Sequence, residues 1–192
     1  MRVVAILLAA GSSRRFGGRK LLAPWRGRPL YEHALEALIA SPAIAETLVV
    51  VQPGFATPPA RPRCRYVENP EHEEGMGSSL RAGVRAAGEA DTYLIALADM
   101  PAITPALIVA LVACYREAGR PIVVPVCRGH RGHPVMIGAA LRDALLAITG
   151  DVGAREIIRA HPDWVGVFET EDEAVLFDVD VPGPLAVGEG GA

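Results

Sequence analysis

The feature of this chain that most restricts its fold is a set of short, continuous apolar runs separated by segments with helical spacing. Val3–Leu8 (VVAILL), Thr47–Val51 (TLVVV), Tyr93–Leu97 (YLIAL) and Ile122–Val126 (IVVPV) lack the in–out alternation of a half-solvated strand. Such runs are expected of strands covered on both faces in a parallel sheet. Cys64–Val67, Val165–Phe168 and Val175–Val179 read as further strands. Pro29–Ala40 has proline at a helix start and Leu30, Ala34, Ala37 and Leu38 at helical spacing. Ser78–Ala87 reads as a helix with a serine cap, and Thr104-Pro105 opens a long helix to Ala118. Ala139–Ala147 and Asp151–Ala160 complete the helices, while Pro53–Pro62, with four prolines and one glycine, reads as surface loop. Strands alternating with helices imply βαβ crossovers and an α/β fold: one doubly wound, mainly parallel, Rossmann-like sheet. At 192 residues the chain fits one domain, residues 1–187, with Gly188–Ala192 as a glycine-rich disordered tail.

In such sheets ligands bind beyond the carboxyl ends of strands, where the chain order reverses. Polar residues directly after buried strands therefore carry the functional reading. The loop Ala9-Ala10-Gly11-Ser12-Ser13-Arg14-Arg15-Phe16-Gly17-Gly18-Arg19-Lys20 follows the first strand. Its glycines let backbone N–H groups converge, and Arg15 and Lys20 bring cations to the same point, which makes a phosphate cradle. It is not a Walker loop, because Lys20 is followed by Leu21, and GxGxxG is absent. Lysine occurs once among the 19 basic residues, and it lies in this loop. A compact ammonium in a chain that otherwise uses arginine supports a specific role there.

Composition removes other classes. A net charge of −3 and 5% aromatic residues argue against a nucleic-acid binder. Cys64, Cys114 and Cys127 are far apart and form no CxxC pair, so neither a disulfide framework nor a thiolate zinc site follows, and a reducing compartment fits better. Met1–Ala10 has the outline of a short export signal, but Arg14 and Arg15 follow it almost at once, and no apolar stretch follows the Ser13-Arg14-Arg15 pair. No segment reaches the ~20 apolar residues of a membrane span. The expectation is a cytoplasmic protein with no membrane partner.

The run AAGxSxRFGxxK resembles the signature of nucleotidyltransferases with a molybdenum-cofactor type NTP-transferase domain, and the likeness is closest to molybdenum cofactor cytidylyltransferases. The resemblance covers nearly the whole chain. It implies that Leu8, Ala9, Ala10, Gly11, Ser13 and Gly17 surround the nucleotide. It also implies that Arg15 and Lys20 are catalytic, neutralising phosphate charge in the transition state. Cations preorganised in this way commonly contribute about 3–4 kcal/mol each to lowering a barrier.

Asp99, in Leu97-Ala98-Asp99-Met100-Pro101, directly follows a buried strand. Alone it reads equally as a turn cap; the resemblance implies a ligand of nucleotide-bound Mg²⁺. Asp178-Val179-Asp180 follows another apolar run, and strand alternation sends its two carboxylates to one face. Asp180 is the second expected metal ligand, with Asp178 in support. Val181 stands where the family motif has threonine. Mg²⁺ takes oxygen ligands, usually one or two carboxylates plus substrate phosphates.

Asn69-Pro70-Glu71-His72-Glu73-Glu74-Gly75-Met76-Gly77-Ser78-Ser79-Leu80 leads into a helix whose N-terminus could read a base or ribose, or could simply be a capped helix start. The resemblance puts Gly75, Ser78 and Ser79 beside the nucleotide base. Arg128-Gly129-His130-Arg131-Gly132-His133-Pro134-Val135 contains an HxxH pair, but no third ligand is near and Pro134 interrupts a helix, so an anion-facing loop is the better reading. By resemblance Gly132, His133 and Pro134 line the acceptor side, joined by Asp151 and Gly153 of Gly150-Asp151-Val152-Gly153-Ala154-Arg155. Asp151 is equally readable as a plain N-cap.

The expected reaction is CMP transfer from Mg–CTP to the terminal phosphate of molybdopterin cofactor, with release of pyrophosphate and delivery of the product to molybdenum hydroxylase apoenzymes or their chaperone. Guanylyl transfer from GTP, a cytidylyltransferase of another small phosphorylated acceptor, and a non-catalytic nucleotide-binding regulator are the alternatives. Ala9-Ala10-Gly11 favours cytidine by family comparison, although a methyl-sized change in a pocket discriminates only ~10–200-fold.

Overall fold

The computed structural model describes residues 1–11 and 20–179. The strands are β1 (Val3–Leu8), β2 (Pro24–Trp25), β3 (Arg28–Pro29), β4 (Glu46–Val51), β5 (Cys64–Glu68), β6 (Thr92–Leu97), β7 (Ile122–Cys127), β8 (His130–Arg131), β9 (Val135–Gly138) and β10 (Val165–Glu169). The helices are α1 (Leu30–Ala40), α2 (Met76–Ala86), α3 (Pro105–Ala118), α4 (Arg142–Leu146) and α5 (Arg155–Ala160).

The main sheet runs β10-β7-β9-β6-β1-β4-β5, with β8 paired to β7, while β2 and β3 form a separate hairpin. The pairs β1–β4, β1–β6, β4–β5 and β7–β10 are parallel. Because β1 is central, its residues alternate between two covered faces. Val3, Ala5 and Leu7 pack with Leu35, Leu38, Ile108 and Leu111 of α1 and α3. Val4 and Ile6 pack with Leu80, Val84, Leu145 and Ile158 of α2, α4 and α5. The doubly wound α/β expectation therefore holds, and the alternation of buried runs with helices is its cause.

Thr104 accepts a hydrogen bond from the Leu107 N–H at 3.2 Å and Gly119 ends α3 with φ 59°, so that helix has the sequence-read boundaries. Four other expectations are corrected. The helix read from Ser78 begins at Met76 behind Gly75, and Ser78 does not cap it: its hydroxyl donates to the Gly75 carbonyl at 2.9 Å. The helix read from Asp151 begins only at Arg155, because the preceding turns place Gly150 and Gly153 at positive φ. The Ala139–Ala147 helix starts as a 3-10 turn and becomes α-helical at Arg142. Val175–Val179 is not a strand: Asp172 caps a 3-10 turn over Glu173–Val175 by accepting the Ala174 N–H at 3.0 Å, and the Val175 carbonyl is taken by the His133 N–H at 2.9 Å.

The sheet also contains a strand the sequence reading did not separate. β9 lies antiparallel between β6 and β7, with Ile95 opposite Val135 and Val123 opposite Met136. Its direction brings the residues that enter it, Gly132–Pro134, to the edge where β6 ends.

Candidate active site

Chain order reverses at β1, whose neighbours are β4 on one side and β6 on the other. Leu8 pairs with Leu97 at the carboxyl ends of β1 and β6, and the Ala98 N–H donates to the Leu8 carbonyl at 3.2 Å. The two chains leave this switch point side by side, one into the glycine-rich loop and the other into Asp99. Such a crevice is where doubly wound sheets bind ligands.

Lys20 returns from the loop as the first residue of a 3-10 turn, and its side chain is drawn inward to 8% residue exposure. Its Nζ donates to Asp99 Oδ2 at 2.8 Å. The lone lysine and the strand-end carboxylate, 79 positions apart in sequence, are thus direct partners. A buried ammonium needs such a partner, since an uncompensated charge is expensive to desolvate.

Among the described residues, Leu8, Gly11, Lys20, Gly75, Ser79 and Asp99 are part of the wall of a cleft of about 400 Å³. His72, Glu73, Glu74 and Asp151 also line it. Ala9 and Ala10 do something different: they are 4% and 1% exposed and belong to opposite core layers, so their methyls act through packing. Ser13, Arg15, Gly17 and Asp180 lie outside the described residues. Asp178 is exposed, and its neighbour Val179 donates its N–H to the Asp99 carbonyl at 3.0 Å. That backbone bond carries the Asp178–Val179 stretch alongside Asp99.

Ser78 is 1% exposed and serves as support. Buried Asn69 donates to Ser78 Oγ at 2.9 Å and Ser79 Oγ at 3.1 Å, while its Oδ1 accepts the Glu71 N–H at 3.0 Å. Arg81, 8% exposed, donates to the Ile148 carbonyl at 2.7 Å and to Glu74 at 2.7 Å and Glu71 at 3.1 Å. The Glu74 hydrogen bond chiefly raises its pKa. Sequence reading singled out neither Asn69 nor Arg81 as functional. Asn69 follows β5 directly, and that strand-end position was the available signal.

A second cleft of about 400 Å³ shares Leu8, Met76, Leu97 and Asp151 with the first. It contains Gly132 and His133, and its cations are Arg131, Arg155 and Arg159. These arginines were missed as site residues. Arg155 and Arg159 lie four apart on α5, the spacing that puts side chains on one helix face. Gly132 has no room for a Cβ, which would strike the Val175 carbonyl oxygen. Burial pushes the half-buried His133 imidazole down to about pKa 4; Arg155 lowers it further and Asp99 partly opposes the shift. At neutral pH His133 is uncharged, and the positive potential in this cleft comes from arginines. Pro134 is buried behind a cis His133–Pro134 peptide.

Two expectations about helix ends change here. Asp151 caps α2, accepting the Met76 N–H at 2.9 Å, and does not cap the helix that follows it. The N-terminus of α2 is accordingly occupied by a carboxylate, and Gly153 packs against Met76.

An apolar floor at a switch point, a loop cation held on a strand-end carboxylate and an adjoining arginine-lined recess together suit a phosphate-bearing nucleotide and a second anionic substrate. The class so defined is that of the nucleotidyltransferases with a Rossmann-like sheet. The chain belongs to the MobA-like NTP transferase domain family, which matches residues 5–165. It is 35% identical over 193 residues to nicotine blue oxidoreductase of Paenarthrobacter nicotinovorans, covering 93% of this chain and 92% of that protein. It is 30% identical over 193 residues to purine catabolism protein PucB of Bacillus subtilis, covering 94% and 92%. A probable molybdenum cofactor guanylyltransferase of Bacillus subtilis is 34% identical over 140 residues, covering 67% of this chain and 63% of that protein. Among solved structures, a nucleotidyl transferase from Methanothermobacter thermautotroptrophicus has a similar fold, with TM-score 0.71, 24% identity and coverage of 93% and 91%. A Mycobacterium tuberculosis protein crystallised in complex with manganese also has this fold, with TM-score 0.72, 18% identity and coverage of 88% and 89%.

Proposed function

We propose that this nucleotidyltransferase moves CMP from Mg–CTP to the terminal phosphate of molybdopterin cofactor and releases pyrophosphate. The observation that carries the reading is the 2.8 Å contact between Lys20 and Asp99, because it brings the loop cation and the strand-end acid to one cleft. The nucleotide takes the cleft of Lys20, Gly75 and Ser79, and the acceptor takes the adjoining one, where Arg131, Arg155 and Arg159 match an anionic group.

Asp99 fits a hard divalent cation: it offers carboxylate oxygens at the cleft wall with a side chain 27% exposed. Asp180, one residue beyond Val179, is proposed as its companion. Magnesium, when bound there, supplies charge neutralisation on the triphosphate. Lys20 orients the phosphates and stabilises the charge that grows on the departing pyrophosphate, with Arg15 proposed for the same task. An oxygen of the acceptor phosphate forms a bond to the α-phosphorus of CTP, and the bond from that phosphorus to the bridging oxygen of the β-phosphate breaks. The nucleophile is already ionised at pH 7, since the second pKa of a phosphomonoester is about 6. No side chain needs to remove a proton, which agrees with an uncharged, weakly basic His133.

Purified protein, molybdopterin cofactor, Mg²⁺ and each of the four NTPs test the reading through pyrophosphate release. Release with CTP above the other three is expected; preference for GTP would convert the proposal to guanylyl transfer, and no release with any NTP would overturn it for this acceptor. The likeness to a protein named as an oxidoreductase, over 93% of this chain, supports a second reading, a redox role. NADH or NADPH consumption, measured on the same preparation, distinguishes the two. Residence in the cytoplasm and handover to molybdenum hydroxylase apoenzymes or their chaperone belong to the same proposal.

A further inference from the structure

We infer that Asp151 is a positioning residue that keeps the two substrate pockets in register by capping α2 from across the cleft. The inference rests on the reading above of which pocket takes which substrate.

The first N–H groups of a helix have no partner within it and need one from outside. At α2 no side chain of the segment entering the helix provides it: the N-cap is Gly75, and the Ser78 hydroxyl is turned back onto the Gly75 carbonyl. The partner comes from 75 residues away, where Asp151 Oδ1 accepts the Met76 N–H at 2.9 Å. The Gly77 N–H donates to the Gly150 carbonyl at 3.0 Å, so two successive contacts tie the helix start to the Gly150–Asp151 turn.

Backbone space enforces the same docking. A Cβ on Gly75, whose φ is 106°, would lie 2.8 Å from Asp151 Cα, and one on Gly77 would lie 2.7 Å from the Gly150 oxygen. The two glycine-containing motifs thus interlock. On the α2 side of the junction, Gly75 and Ser79 line the nucleotide pocket; on the other, Arg155 lines the acceptor pocket. Met76 and Asp151 line both. Loosening this one junction therefore loosens both pockets.

The role separates from direct substrate contact by its chemistry. An asparagine oxygen accepts the Met76 N–H as a carboxylate oxygen does, whereas alanine cannot. For Asp151→Ala, the Michaelis constants for nucleotide and for acceptor should both rise roughly five- to tenfold, if the free energy of a lost cap goes into ordering the shared junction before either substrate binds, with a smaller change in kcat. Amide hydrogen exchange at Met76 should accelerate in the same variant. Asp151→Asn should restore both Michaelis constants and the exchange protection. Gly77→Ala, which pushes the Gly150–Asp151 turn away from α2 without altering the Asp151 side chain, should reproduce the double rise.

An Asp151→Asn variant as impaired as Asp151→Ala, with only one Michaelis constant raised, would overturn the inference in favour of direct contact. A lower melting temperature with both Michaelis constants unchanged would also overturn it, by leaving only a stabilising role. The exchange measurement needs no substrate. If wild-type protein turns over no NTP the proposed reaction fails, while unchanged Met76 exchange in Asp151→Ala refutes the cap by itself.

Discussion

The cleft of Lys20 and Asp99 rests on β1 and β6, parallel neighbours whose carboxyl ends lead into Gly11 and Asp99. The arginine-lined cleft rests on a rearranged half of the sheet, where β9 runs antiparallel between β6 and β7. In the first half functional residues follow their strands, as the doubly wound fold dictates. In the second, Gly132 and His133 precede their strand, because reversing a strand presents its entry at the edge where its neighbours exit. Charge is handled differently too: a lysine paired with an acid on one side, and on the other three arginines lining the cleft that also holds a neutral histidine. One fold thus supports two clefts of different charge character that share Leu8, Met76, Leu97 and Asp151.

The largest effect should come from the nucleotide side. Lys20→Ala is expected to lower kcat/KM by about 10²–10³, the cost of removing one preorganised charge-stabilising group. Its melting temperature should stay within a few degrees of wild type, because Asp99 retains access to water through the cleft. A melting shift as large as that of a core truncation, with turnover intact, would make the lysine structural and break the contrast.

On the acceptor side, Arg155→Ala should raise the acceptor Michaelis constant about tenfold, as expected for losing a charge-assisted hydrogen bond, and leave the NTP constant near wild type. Steady-state kinetics with each substrate varied in turn checks this. An equal rise in both constants would mean that the two pockets are not separable at this residue.

The smallest effect concerns pH. The His133 pKa in the folded chain, about 4, lies below the ordinary 6.5, so the unfolded chain binds the extra proton first as pH falls. The stability contributed by the neutral imidazole is complete above pH 6.5 and is lost as pH drops toward 4. Melting curves at pH 7 and pH 5 should show a fall for wild type that is smaller by a few degrees in His133→Gln. Equal falls would place the acid-sensitive group elsewhere.

Much of the fold was legible because apolar runs and cap residues act locally. Thr104, Pro105 and Gly119 fix α3 at the expected residues, and the apolar runs of β1, β4, β6 and β7 all lie inside the sheet, away from its edges. The four-residue run Val135–Gly138 was too short to distinguish from loop, and its antiparallel pairing depends on β6 and β7, which are distant in sequence. Val175–Val179 has a strand-like composition, yet a turn set by Asp172 buries Val175 and Val179 and leaves Phe177 exposed. Ser78 and Asp151 both look like local caps. One is drawn back onto the nearby Gly75 carbonyl and to Asn69, the other to Met76, 75 residues away, a partner that reading neighbours cannot find.

By itself the sequence determined the layered α/β architecture, the glycine-rich loop with its single lysine, and the acid placed after a buried strand. These follow from periodicity and residue type, which operate over a few positions. Tertiary structure decided which groups meet: the Lys20–Asp99 pair, the arginines of the second cleft, and the carboxylate that closes α2 from 75 residues away. Contacts spanning 75 to 79 residues depend on how the sheet orders its strands, and that order is fixed only when both faces of the sheet are buried together.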